Sequence, residues 1–298
     1  MRKLRVHHST LYRYRKAVAF GAHRLMFRPR DSHDLRLIAA ELVIDPAAEV
    51  RWLHDVFSNS IAIARFEGLA EALRFESNIT LEHYGIERPV VQIEPYATHY
   101  PFSYSSEFIS DLARTNQRHY PDPEGRVDAW VKEVLAELGS QPETAHLIER
   151  LNHAVHQRFA YEPRFAVGVQ SPVETLNQGS GTCRDLALFM MEALRALGLA
   201  ARFVSGYLYD PALDGEGGGD SGLRGAGATH AWVQVFLPGA GWVEYDPTNG
   251  LVGGADLIRV AVTRDPMQAL PLQGTYIGAA EDFLDMSVEV TVSAENLG

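Results

Sequence analysis

The chain is poor in cysteine, with one residue, Cys183, among 298. One cysteine cannot form an intrachain disulfide, which excludes a secreted disulfide scaffold and a multi-cysteine zinc site. Histidine is plentiful, but the spacings of His7, His8, His23 and His33 match no metal-ligand pattern. No metal and no cofactor is therefore expected. Long apolar runs are also missing: nothing approaches the ~18 residues a membrane helix needs. The basic start, Met1-Arg2-Lys3-Leu4-Arg5, has no apolar segment behind it. That pattern predicts no signal peptide, no membrane association and a cytoplasmic location. Internal repeats and heptad arrays are absent.

Charge of one sign is scarce in one region. The net charge is −11, yet residues 1–36 hold ten Lys/Arg against two Asp/Glu. These basic residues alternate with apolar ones, as on the outward face of a strand. No nucleic-acid recognition motif accompanies them and the whole chain is acidic, so nucleic acid is not an expected partner. The rest of the composition, 46% hydrophobic and 22% charged, is that of a globular protein. The length suits one large domain or two.

Period-two alternation marks strands at residues 4–14, 35–38, 41–44, 60–66 and 73–81, separated by Pro, Gly, Asn and Asp. Short strands at such spacing predict an antiparallel β-sandwich over residues 1–100. A proline- and tyrosine-rich boundary follows at 95–101. Helical periodicity then covers 105–118, 126–138 and 143–158. A further helix begins at Cys183, with Leu186, Phe189, Met190, Ala193, Leu194 and Leu197 as its apolar stripe and Gly198 as its stop. Strands follow at 200–209, 230–237, 242–246, 257–262 and 286–292. The fold class is α+β, with residues 101–298 as the second unit.

Cys183 sits in Gly179-Ser180-Gly181-Thr182-Cys183-Arg184-Asp185, where a glycine turn meets that helix. Thr182 is placed to cap it, with Asp185 three residues on. A helix start offers unpaired N–H groups and partial positive charge, which stabilise a thiolate and an oxyanion. A buried, inert cysteine is the competing reading. His230 opens the strand ahead of Pro238-Gly239-Ala240-Gly241, and Asp246 closes the return strand. If the hairpin closes over 237–241, position 246 lies opposite 232, and His230 and Asp246 share a face. A four-residue loop would put them on opposite faces. For a second oxyanion donor, Tyr161 and Gln170 are candidates, with packing the stronger role for Tyr161. The glycine-rich stretch Asp210–Ala228 reads as either an active-site loop or a plain hairpin tip.

These motifs, with Ser171-Pro172-Val173-Glu174-Thr175-Leu176 before them and Asp246-Pro247-Thr248-Asn249-Gly250 at the end, resemble the bacterial transglutaminase-like family. That family, described as cysteine proteases, lies within the papain-like superfamily. The first hundred residues resemble the bacterial transglutaminase amino-terminal domain. The resemblance implies a helix carrying the cysteine packed on an antiparallel sheet carrying histidine and aspartate. It places the family's catalytic residues on Cys183, His230 and Asp246. It implies cysteine-dependent hydrolysis of a peptide or amide bond through a thioacyl intermediate, with a peptide or protein as substrate. Acyl transfer to an amine is the alternative, and a non-catalytic peptide-binding module the second.

Overall fold

A computed structural model describes residues 1–86, 89–164, 168–214 and 223–295. Its first strands are β1 (Arg2–Phe20), β2 (His23–Leu25), β3 (Leu35–Asp45), β4 (Ala48–His54), β5 (Ser60–Phe66) and β6 (Ala70–His83). The stretches 35–38 and 41–44 form one strand, because a bulge between Leu37 and Ala39 absorbs the break in alternation. Next come α1 (Ser106–Leu112), α2 (Arg126–Ala136), α3 (Thr144–Arg158), β7 (Ala160–Tyr161), α4 (Pro172–Gln178), β8 (Ser180–Gly181) and α5 (Cys183–Ala196). The remaining strands are β9 (Ala201–Leu208), β10 (Thr229–Leu237), β11 (Gly241–Asp246), β12 (Leu251–Val252), β13 (Leu257–Thr263), β14 (Leu272–Gln273), β15 (Tyr276–Ile277) and β16 (Phe283–Ala294).

The protein is α+β, with two antiparallel sheets forming the amino-terminal sandwich. One runs β15-β1-β6-β3, with β16 also paired to β1; the other runs β14-β2-β5-β4. Tyr14, Phe20, Leu73 and Phe75 of the first pack on Leu25, Ala62 and Ala64 of the second. The last strands therefore return to the sandwich: Leu4 to Tyr14 of β1 pair with Ala294 to Phe283 of β16.

The core sheet runs β12-β11-β10-β9-β13 and is also antiparallel. Helix α5 packs on it through a cluster that includes Leu186, Phe189, Met190, Ala231, Val233, Val235 and Tyr245. Besides the expected stripe, Ala187, Leu188 and Met191 of α5 are fully buried. Helices α2, α3 and α4 also contact α5, so it is a central helix, enclosed rather than one-sided. Two of its buried charges answer each other: Arg195 Nη1 donates to Glu192 Oε1 at 3.0 Å. Among the described residues, no helix is long and apolar enough to cross a membrane.

Candidate active site

The start of α5 is built by its own residues. Thr182 is the N-cap: its Oγ1 accepts from the Asp185 N–H, and Asp185 Oδ2 accepts from the Thr182 N–H at 2.9 Å. The turn before it needs glycine. Gly179 ends α4 with φ 69°, and a Cβ on Gly181 would lie 2.8 Å from the Asp185 Cβ. Asp185 also accepts from Arg164 Nη2 at 2.9 Å and from the Gln170 N–H at 2.7 Å. It thereby ties the segment before α4 to the turn that presents Cys183. The sulfur-bearing residue is 7% exposed.

His230 and Asp246 come from the hairpin. Leu237 pairs with Gly241 and Val233 with Tyr245, the register that sets 246 opposite 232 and puts both side chains on one face. His230 Nε2 bonds Asp246 Oδ2 at 2.8 Å, and neither side chain is exposed. The Trp232 ring stacks on the imidazole, with centroids 6.0 Å apart. Asp246 receives three more hydrogen bonds: Thr248 N–H at 2.9 Å and Asn249 N–H at 3.4 Å on Oδ1, and Asn249 Nδ2 at 2.8 Å on Oδ2. The other ring nitrogen, Nδ1, is buried with no regular hydrogen bond. The Cys183 thiol lies close enough to the ring to act on its charge.

Electrostatics hold the imidazole protonated. Burial alone would lower the His230 pKa, but the Asp246 charge and hydrogen bond, with the Cys183 sulfur, push it up to about 10. For Asp246, burial works upward, but His230, Asn249 and Thr248 prevail and hold it below its ordinary value of 3.8. The stability sign follows from which state binds the proton more tightly. The folded chain holds the His230 proton until about pH 10, the unfolded chain only to its ordinary 6.5. His230 therefore contributes stability fully below pH 6.5, and this is lost as pH rises through about 10. The Asp246 contribution is present above 3.8 and is lost as pH falls through its lower folded value. Urea unfolding at stepped pH is expected to show the alkaline decline in the wild type and its absence in His230→Gln.

Asn249 is a site residue that sequence reasoning missed, although it lies in the quoted Asp-Pro-Thr-Asn motif. Beyond Asp246, its Oδ1 accepts from the Arg224 N–H at 2.7 Å and its Nδ2 donates to the Arg224 carbonyl at 3.1 Å. It therefore clamps residues 223–227 beside the imidazole. Gly225 has φ +90°, and a Cβ there would lie 2.5 Å from His230 Nδ1, so only glycine fits. Asn249→Ala should lower stability by about 1–3 kcal/mol, read from the urea midpoint, and speed proteolysis at 223–227. The middle of the glycine-rich stretch, residues 215–222, lies outside the described residues.

The two candidate oxyanion donors separate. Gln170 Nε2 is spent on Gln178 at 2.8 Å. Tyr161 pairs with Gly181 through β7 and β8, which brings it near the sulfur. Burial, then the Cys183 charge, raises its pKa, against Arg184 and Arg224. Among the described residues, no cluster of three or more His, Cys, Asp or Glu is placed to hold a metal ion.

Comparison with known proteins bears on both halves. Residues 132–247 match the transglutaminase-like superfamily, and residues 4–82 the bacterial transglutaminase-like N-terminal region. An uncharacterized protein of Mycobacterium tuberculosis is 29% identical over 313 residues, covering 97% of this chain and 92% of that one. A protein-glutamine gamma-glutamyltransferase of Pseudomonas aeruginosa is 35% identical over 121 residues, 38% of this chain and 17% of that protein. A solved structure described as "a Putative Cysteine Protease from Cytophaga hutchinsonii" shares the fold. Its TM-score is 0.66 at 17% identity, covering 98% of this chain and 90% of that one.

Proposed function

Because this chain belongs to the transglutaminase-like superfamily and carries the bacterial transglutaminase-like amino-terminal region, we propose that it is a cysteine-dependent hydrolase of peptide or amide bonds. The observation that carries this reading is the buried His230–Asp246 pair, whose remaining ring nitrogen is left for Cys183.

The reaction starts with the shared proton on His230 and the negative charge on Cys183. The sulfur attacks the substrate carbonyl carbon, and the charge moves to the carbonyl oxygen. The backbone N–H of Cys183, at the first turn of α5, is one donor to that oxyanion; the Tyr161 hydroxyl is the candidate second. As the intermediate collapses, the C–N bond breaks and the imidazolium gives its proton to the leaving amine. A thioester on Cys183 and a neutral imidazole remain. Water attacks the thioester and loses its proton to His230; the acid leaves, and the sulfur departs with its electron pair. Asp246 holds the ring in place and stabilises its cationic form throughout.

Water is favoured as the acyl acceptor by local charge. A lysine arrives as an ammonium, and Arg184 and Arg224 both lie within electrostatic reach of Tyr161 beside the sulfur. The nearby carboxylates are committed: Asp185 to Arg164, Asp246 to His230, and Glu162 to the Ser180 hydroxyl. Transfer to an amine is the second reading, favoured by the likeness to the gamma-glutamyltransferase.

Mass spectrometry of a peptide library incubated with the protein and a primary amine separates the outcomes. Cleaved peptides support hydrolysis. Loss of ammonia with gain of the amine overturns it in favour of transfer. Products no more abundant than with Cys183→Ala point to a non-catalytic peptide-binding module.

A further inference from the structure

A cavity lies away from Cys183, with none of Cys183, His230 and Asp246 in its lining. It has a volume of about 860 Å³ and opens where the sandwich and its linker meet the far end of the core sheet. That volume is in the range of sites that take small organic ligands. On β10, Gln234 lines it, four residues or about 13 Å along the strand from His230. Between them on the strand, Trp232 packs with Phe57, Leu223 and Ala226.

Two arginines in this lining, Arg202 and Arg30, form no salt bridge among the described residues, and Arg202 is the more buried by its surroundings. Arg202 donates through Nε to Gln234 Oε1 at 2.7 Å, and its guanidinium lies 4.0 Å from the Trp242 ring centroid. Among the described residues, no carboxylate forms a salt bridge with it and no group accepts from its two terminal nitrogens. The carboxylates in the lining are engaged elsewhere. Glu244 accepts from Gln234 and from Arg259 Nη1, at 3.0 and 2.8 Å. Asp34 takes Arg259 Nη2 at 3.1 Å. Asp31 accepts from the Leu37 N–H, and Arg30 donates to the Phe57 carbonyl. Burial, then the Arg259 charge, pushes Arg202 down to about 9, against Glu244 and with Arg30. The guanidinium remains charged at neutral pH; Glu244 offsets part of its burial cost, and a bound anion would offset more.

We propose that this cavity binds a small carboxylate with an apolar body, held by the two terminal guanidinium nitrogens of Arg202. A planar fork matches a carboxylate through two parallel hydrogen bonds. Asp31, Asp34 and Glu244 in the same lining repel a phosphate dianion more strongly than a monoanion. Phe57, Val90, Val91 and Val262 on the wall take the apolar body.

Calorimetric titration of the full-length chain with 4-phenylbutyrate, 4-phenyl-1-butanol and phenyl phosphate tests this. The acid should bind at least about tenfold more tightly than the alcohol, a difference of about 1.4 kcal/mol, and more tightly than the phosphate. Arg202→Met, which keeps an apolar stem over Trp242, should remove that preference, and Cys183→Ala should retain it. The proposal is overturned if the acid gives no saturable heat, if alcohol or phosphate binds as well, or if the preference survives Arg202→Met. The acid–alcohol comparison on wild type decides the matter even if the Arg202 variant misfolds. A loss of binding in Cys183→Ala would move the ligand to the catalytic site and equally overturn it.

Discussion

Cys183→Ala should reduce turnover by on the order of 10⁴-fold or more while leaving the fold in place. The large kinetic effect follows from the covalent step, because alanine has no atom that can carry the acyl group. The fold should persist because the elements that build the turn lie elsewhere. The Thr182–Asp185 capping box, the Asp185 contacts to Arg164 and Gln170, and the buried body of α5 do not use the sulfur. Removing one atom from a 7% exposed position should cost no more than about 1–2 kcal/mol. Circular dichroism and the thermal midpoint check the fold, and peptide turnover checks the chemistry. Iodoacetamide labelling at pH 6–7 adds a substrate-free readout. With one cysteine in the chain, all alkylation reports this thiol. Wild type should label faster than His230→Gln, since the imidazolium supports the sulfur's negative charge. Equal turnover by wild type and Cys183→Ala would end the enzyme reading.

Local signals were legible where a short stretch determines its own geometry. The capping box at Thr182 and Asp185 closes within one turn, so the helix start and the cysteine's place on it could be read directly. The hairpin was legible as a condition: side-chain parity depends on loop closure, and the observed Leu237–Gly241 pair selects the branch in which His230 and Asp246 meet. The long-range arrangements left no such mark. The alternation in β16 shows a strand, but the choice of β1 as partner depends on which edge was open. The sequence order grouped β16 with the core instead. Asn249 followed the aspartate in plain sight. Its role depends on Arg224, 25 residues away in the chain, so spacing alone assigned it nothing. The same holds for Arg202, whose significance comes from carboxylates that face other partners. Burial of α5 on all sides was hidden because its polar residues, Glu192 and Arg195, satisfy each other only in three dimensions.

Asp246→Asn should cut turnover by about 10²–10⁴-fold, although the two side chains have nearly the same shape. Every contact to Asp246 is a donor: His230 and the Asn249 side chain on Oδ2, and the Thr248 and Asn249 N–H groups on Oδ1. A carboxylate accepts from all of them. An asparagine must turn its NH₂ toward one pair of donors, whichever way it flips. Turning it toward His230 demands that Nε2 become an acceptor, which strips the imidazole of its cationic form and fixes the remaining proton on Nδ1. Turning it toward the backbone leaves two buried N–H groups unsatisfied, with an expected stability loss of about 1–3 kcal/mol. In either case the charge that pushed His230 up to about 10 is gone, while burial still opposes protonation. The His230 titration, followed by NMR of the ring, should therefore move to lower pH. The alkaline decline in wild-type stability between pH 6.5 and about 10 should flatten in the same variant, because folded and unfolded chains would then release the proton over similar ranges. A merely structural role for Asp246 would lower stability at all pH values and leave the His230 titration unchanged. That outcome, or turnover within about fivefold of wild type, would remove Asp246 from the proposed triad.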